Sequence, residues 1–94
     1  LGPAIGPPAF EVGPEVRSAY LAELAVSDTD ACFQPNERGR YRADLYGLAR
    51  LVLRTAGVTR VHGGGWCTHQ DAQRFFSFRR DGVTGRMATL AWLT

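Results

Sequence analysis

A chain of 94 residues is one small domain or part of a larger one, and 45% apolar side chains argue against disorder. Its 11 basic residues are all arginine, dispersed among the 9 acids, which argues against the one-faced basic surface of a nucleic-acid binder. No apolar run is long enough for a membrane-spanning helix, no secretory pattern is present, and two cysteines make no secreted scaffold, so a cytoplasmic protein with reduced thiols is expected.

Residues 1–13 hold Pro3, Pro7 and Pro8, which fix φ and remove donors; the segment is predicted extended or looped, with Ala9–Val12 as a short strand. Gly13-Pro14-Glu15 is a helix start, with proline at the first helical position and an acid in the first turn. Val16, Ala19, Tyr20 and Leu24 then fall at helical spacing, a pattern that ends by Ser27. Residues 27–40 are polar and carry Pro35, Asn36 and Gly39, predicting a variable, mobile loop. From Tyr41 the helical period returns: Leu45, Leu48, Ala49, Val52 and Ala56 share a face, Arg50 and Arg54 lie off it, and Gly57 stands where a helix C-cap belongs. Val58–His62 alternates and predicts a short strand, ended by three glycines. Asp71 is placed to cap one helical turn through Phe75, Asp81-Gly82 signals a turn, and residues 87–92 alternate as a terminal strand. Helices and strands interleave without internal repeat, which gives an α/β or mixed α+β class.

His62, Cys67 and His69 lie within "VHGGGWCTHQ". Zinc accepts both ligand types, and three protein ligands suffice for a catalytic zinc. The spacing matches none of the paired zinc patterns, however, and His62 is separated by the glycines. Cys67 also fits a nucleophile activated by either histidine, or a half-buried thiol behind a glycine turn with two surface histidines. Arg79, Arg80 and Arg86 fit a phosphate or carboxylate site, since guanidinium forks match those anions, or ion pairs with acids such as Asp81.

Three blocks, "GPAIGPPAFEVGPEV", "DLYGLARLVLRTAGV" and "CTHQDAQRFFSFRRDGVTGRMATLAWL", occur in one order over nearly the whole chain. Together they resemble the C-terminal part of the laccase-domain family, also called the multicopper polyphenol oxidase or YfiH-like purine nucleoside phosphorylase family. The resemblance implies a layered sandwich of mixed sheet and helices, of which residues 1–94 form the C-terminal segment. It also implies a zinc enzyme (copper in older labels) that cleaves purine nucleosides with phosphate, with adenosine deamination as a second activity. The family's two-histidine, one-cysteine metal site lies in motifs before the G-P-x-I-G block. The resemblance therefore assigns no metal ligand here, and neither His62 nor His69 matches a ligand position.

From the motif positions present, Gly2, Pro3 and Ile5 form a tight loop placed to abut the substrate, and Cys67 opens the block that holds the arginines. Ser77, Arg79, Arg80 and Arg86 are candidates for polar contacts with substrate or for bracing the fold. The start at Leu1, straight into a Gly-Pro-rich stretch, suggests a segment of a longer protein. Taken alone, such a segment is expected to lack activity and to expose a surface suited to dimerisation. The alternative is a non-catalytic α/β interaction module.

Overall fold

The computed structural model describes residues 1–24 and 27–91. It confirms the mixed α/β class. A 3-10 turn at Pro7–Ala9 leads into β1 (Glu11–Val12) and α1 (Pro14–Leu24). A second 3-10 segment, Ser27–Cys32, leads into β2 (Phe33–Pro35), followed by β3 (Tyr41–Ala43), α2 (Leu45–Thr55) and α3 (Phe78–Asp81). The sheet has order β1-β3-β2, antiparallel throughout, with Val12 opposite Tyr41 and Phe33 opposite Ala43. Side chains alternate between faces of a strand. Val12, Phe33, Tyr41 and Ala43 accordingly share one face, while Glu11, Gln34 and Arg42 take the other. Onto the apolar face pack Leu48 and Leu51 of α2, Cys32, and the half-buried Val16, Tyr20 and Leu24 of α1.

The helix predicted from Gly13-Pro14 is α1, with Val16, Tyr20 and Leu24 against the core and Ala19 exposed. Residues 27–40 are not a loop throughout. Cys32 and Phe33 are buried core residues, and the polar stretch around them turns a hairpin. The Asn36 carboxamide oxygen accepts the backbone N–H groups of Arg38 and Arg40, and Gly39 takes φ +70°. The helix does not begin at Tyr41 either. Tyr41–Ala43 is the central strand, and Asp44 starts α2 by accepting the Gly47 N–H at 3.0 Å.

The buried face of α2 is rotated from the predicted one. Tyr46, Leu48 and Leu51 are buried, whereas Val52 is 47% exposed. The C-terminus is as expected: Gly57 has φ +86°, its N–H bonds Arg54 O, and the Val58 N–H reaches Leu53 O, which is the Schellman arrangement.

Neither Val58–His62 nor residues 87–91 form a strand, and Trp92 lies outside the described residues. Alternation marks which side chains share a face, but a strand also needs a ladder partner, and none pairs with these segments among the described residues. Asp71 does cap a turn: its carboxylate accepts the Arg74 N–H and its carbonyl the Phe75 N–H, without propagating a helix. Pro7–Ala9 turns rather than extends, which shortens the first strand to Glu11–Val12. No helix of the described residues is long and apolar enough to cross a membrane.

Candidate functional site

Two motif-bearing stretches of the chain meet on α2. Tyr46 projects off the leucine stripe, and its hydroxyl lies 2.7 Å from Ala4 N, 2.6 Å from Trp66 O and 3.2 Å from Ala4 O. The oxygen accepts the Ala4 N–H while its single proton goes to the Trp66 carbonyl, the shorter of the two. Thr68 N–H donates to Ala4 O at 3.0 Å, and Ala4 and Cys67 form a parallel bridge. The Leu1 ammonium donates to the His62 carbonyl, and Arg50 Nη2 to the Gly63 carbonyl at 2.6 Å. Residues 1–6 and 62–68 are thereby sewn into one seam.

The triple glycine is what lets these groups approach. Gly63 and Gly64 both take φ +92°, where a side chain is strained. A Cβ at Gly63 would also lie 2.7 Å from Leu1 O, and one at Gly64 2.8 Å from Arg50 Nη2.

At the seam's centre Cys67 Sγ accepts the Gly6 N–H at 3.1 Å. Burial pushes this thiol's pKa up, but the backbone N–H groups of Gly6, Gln70 and His69 together outweigh it and hold the pKa below the ordinary thiol value. Cys32 behaves oppositely: burial, and then the Asp44 and Asp28 carboxylates, raise its pKa. Cys67 lines a cavity of about 650 Å³ with Trp66, Gln70, Asp71 and Arg74. There the Arg74 guanidinium sits 4.0 Å from the Trp66 ring centre and is paired with Asp71 at 2.7 Å.

Around this centre the predicted site residues divide. Gly2 lies in the seam, where a Cβ would come within 2.2 Å of Thr89 Oγ1; Pro3 is exposed and Ile5 half-buried. Ser77 is buried as the N-cap of α3, its hydroxyl facing the Arg80 N–H at 3.4 Å. The Arg80 guanidinium donates to the carbonyls of Thr68, His69 and Phe75 and to both oxygens of Asp81. Every N–H it owns is engaged within the protein. That pairing raises the Arg80 pKa and lowers that of Asp81.

Arg79 turns the other way, donating to Glu11 O at 2.9 Å with its guanidinium over Phe10. Arg86 is exposed and lines a separate groove with Phe76 and Met87. Ala4 and Gly6, which flank Ile5, are thus brought against Cys67, Gly2 lies against Thr89, Arg80 braces the Thr68 and His69 carbonyls, Ser77 caps α3, and Arg79 and Arg86 stand apart.

His62, Cys67 and His69 do not converge. Among the described residues no three His, Cys, Asp or Glu side chains are placed to hold a metal ion, so the residues here do not fit the zinc that the resemblance implies. Sequence reasoning missed Tyr46, Gly6 and Arg50. The one available signal was an aromatic hydroxyl on α2 off the leucine stripe, an amphipathic side chain that needs a polar partner when buried.

Fold and seam together define a mixed α/β unit organised around a Gly-Pro loop, a C-T pair and an arginine-braced turn. The multi-copper polyphenol oxidoreductase laccase family has a model that matches residues 1–94, and the chain belongs to that family. It is 55% identical over 94 residues to a purine nucleoside phosphorylase of Pseudomonas aeruginosa, covering 99% of this chain and 38% of that protein. It is 50% identical to the purine nucleoside phosphorylase YfiH of Escherichia coli over 93 residues, covering 99% of this chain and 37% of that protein. The crystal structure of Neisseria meningitidis protein NMB0706, described as DUF152, superposes with a TM-score of 0.75 at 45% identity, covering 86% of this chain and 33% of that one. The chain spans little more than a third of the length of the curated relatives it matches.

Proposed function

We propose that this chain is part of a purine nucleoside phosphorylase of the cytoplasm that cleaves adenosine or inosine with phosphate and carries adenosine deamination as a second activity. The observation that carries this reading is identity of 50–55% along 99% of the chain with proteins of that name. In the reaction the glycosidic C–N bond breaks, a phosphate oxygen bonds the sugar carbon, and the purine leaves with a proton. On this reading residues 1–6 and 62–68 wall the cleft. Gly2, Pro3, Ile5 and Cys67 lie nearest the substrate, Ser77 and Arg80 hold the wall, and Arg79, bonded to Glu11 O, and Arg86, in a separate groove, stand apart from it. The zinc belongs on residues outside this chain.

The test is release of adenine from adenosine, and of hypoxanthine from inosine, assayed with and without inorganic phosphate. The protein assayed is this chain joined to the portion of the Pseudomonas relative that lies outside the match. Phosphate-dependent release is expected, and phosphate-independent release or none overturns the reading. The 94-residue chain alone is expected to be inactive and to bind no stoichiometric zinc. Zinc found by elemental analysis and lost in the His62→Ala, His69→Ala double variant would place the metal here instead.

A further inference from the structure

Beside Cys67 the chain builds a polar recess with an aromatic wall. This cavity of about 650 Å³ is lined by Trp66, Cys67, Gln70, Asp71, Gln73 and Arg74. Three contacts hold its wall in place. The Trp66 carbonyl accepts the Tyr46 hydroxyl at 2.6 Å, which ties that backbone to α2. The Phe75 ring stands edge-on to the indole, with ring centres 5.8 Å apart. The Arg74 guanidinium lies over the indole, 4.0 Å from its centre, and the Asp71 carboxylate keeps it there by accepting its Nε–H at 2.7 Å. Trp66 is nevertheless 43% exposed.

That lining decides what can fill the recess. An apolar protein face laid over it would strand the carboxamides of Gln70 and Gln73 and the terminal N–H groups of Arg74 without partners, at a cost for each. A ligand with a flat face and a rim of donors and acceptors satisfies both the wall and the polar groups. A nucleobase is such a ligand: its face stacks on aromatic rings and guanidinium planes, and its edge pairs with carboxamides. A glutamine offers one acceptor and one donor side by side, which matches the N6 amine and N7 of adenine. In hypoxanthine O6 and N7 are both acceptors, and one of the two bonds is lost. Gln70 is the carboxamide nearer the seam, because its own backbone N–H is directed at Cys67 Sγ.

We propose that Trp66 and Arg74 form the stacking platform for the purine base and that Gln70 reads the base along its N6–N7 edge. The proposal rests on the reading of this chain as part of a purine nucleoside phosphorylase, and it gives that reaction its base-specificity residues. With N6 and N7 on Gln70, N9 and the sugar lie on the opposite edge of the purine, clear of the carboxamide.

The test uses this chain joined to the portion of the Pseudomonas relative outside the match. Equilibrium dialysis without phosphate measures binding of adenine and of 7-deazaadenine, which has C–H in place of N7. Trp66→Ala should weaken adenine binding by roughly tenfold, and Trp66→Phe, which keeps an aromatic face, by less than about threefold. Arg74→Leu, which keeps bulk without the planar cation, should weaken it by roughly fivefold. The parent should bind adenine roughly tenfold tighter than 7-deazaadenine, and Gln70→Ala should erase that difference. In turnover with phosphate, Gln70→Ala should lower kcat/KM for adenosine by roughly tenfold more than for inosine. A merely structural role for Gln70 would move both substrates alike.

Adenine that does not bind overturns the proposal, as does an affinity in Trp66→Ala within about twofold of the parent. If Trp66→Ala does not fold, Gln70→Ala carries the test, and a variant that still discriminates against 7-deazaadenine overturns the proposal. Adenine binding with the expected losses in a protein without phosphorolysis refutes the functional reading alone. Phosphorolysis that survives Trp66→Ala and Gln70→Ala unchanged refutes this one alone.

Discussion

Replacing Tyr46 with phenylalanine isolates the seam, because it deletes one oxygen atom and leaves the ring in place. The side chain is 5% exposed, and its hydroxyl is the shared partner of Ala4 N–H at 2.7 Å and Trp66 O at 2.6 Å. Without it, a part-buried donor and a part-buried acceptor lose their partner in the same place. Such groups cost about 1–3 kcal/mol each when fully enclosed, and partial access of water brings the expected total to about 2 kcal/mol. For a chain of this size that is a fall in melting temperature of roughly 8–16 °C, or of about 1–2 M in the urea midpoint. Equilibrium urea unfolding gives the energy, and amide hydrogen exchange localises it. The Ala4 and Thr68 amides should exchange faster while those of β3 keep their protection relative to global stability. Tyr20→Phe, whose ring packs 5.9 Å from Phe33 in the core, is the control and should fall within about 0.5 kcal/mol. A Tyr46→Phe loss below about 0.5 kcal/mol, or seam amides that exchange no faster, refutes the claim that this hydroxyl joins residues 1–6 to residues 62–68.

Alkylation with iodoacetamide should take Cys67 first, because its pKa lies below the ordinary thiol value and its thiolate fraction rises earlier with pH; Cys32, buried and shifted upward, should react only on unfolding. Equal rates in the native state, read by mass spectrometry of the peptides, contradict that order. Gly64→Ala should cost about 2 kcal/mol from its positive φ and the displaced Arg50, whereas Gly65→Ala, with open space at its Cβ, should cost less than about 0.5 kcal/mol; similar midpoints for the two would count against the loop geometry. Thr29 Oγ1 is buried without a partner among the described residues, so Thr29→Val should be neutral or stabilise by about 1 kcal/mol, and a clear loss would reveal a bond. The pKa of Asp81 is held down first by its bond with Arg80, so its contribution to stability is present above the usual carboxylate range and lost as pH falls through the lowered native value. Asp81→Asn should flatten the acid limb of the stability curve; an unchanged limb contradicts the pairing.

What was legible in the sequence were elements with local causes. Pro14 and Glu15 announce α1, and Gly57 ends α2, because a proline at the first helical turn and a glycine at a positive φ act within a few residues. What was not legible depends on distant partners. The polar stretch 27–40 looked like a loop because Cys32 and Phe33 are only two core residues in fourteen, yet both are buried under the helices. Tyr41–Ala43 continued the helical period of its neighbours, and only pairing with β1 and β2 makes it a strand. At the site, the motif residues Gly2, Cys67 and Arg80 were visible as candidates. Their partners are mostly backbone atoms of Gly6, Thr68, His69 and Phe75, and a main-chain group leaves no mark on composition or spacing.

This reliance on main-chain partners bears on what the motifs are for. Arg80 is occupied by three carbonyls and a carboxylate, Ser77 by the start of α3, and Tyr46 by the two ends of the seam. Each removes a cost that a bent, strand-poor segment would otherwise carry in unpaired polar groups. Among the described residues, 58–76 and 82–91 join no ladder beyond the Ala4–Cys67 bridge, so side chains do for them what a neighbouring strand does for β3. A conservative Arg80→Lys change tests this division of roles, since a lysine keeps the charge but cannot reach three carbonyls and a carboxylate from one planar group. If the motif arginine were there for its charge, lysine would serve; if it is there as a brace, Arg80→Lys should loosen the amides of residues 67–75 as much as Arg80→Ala does.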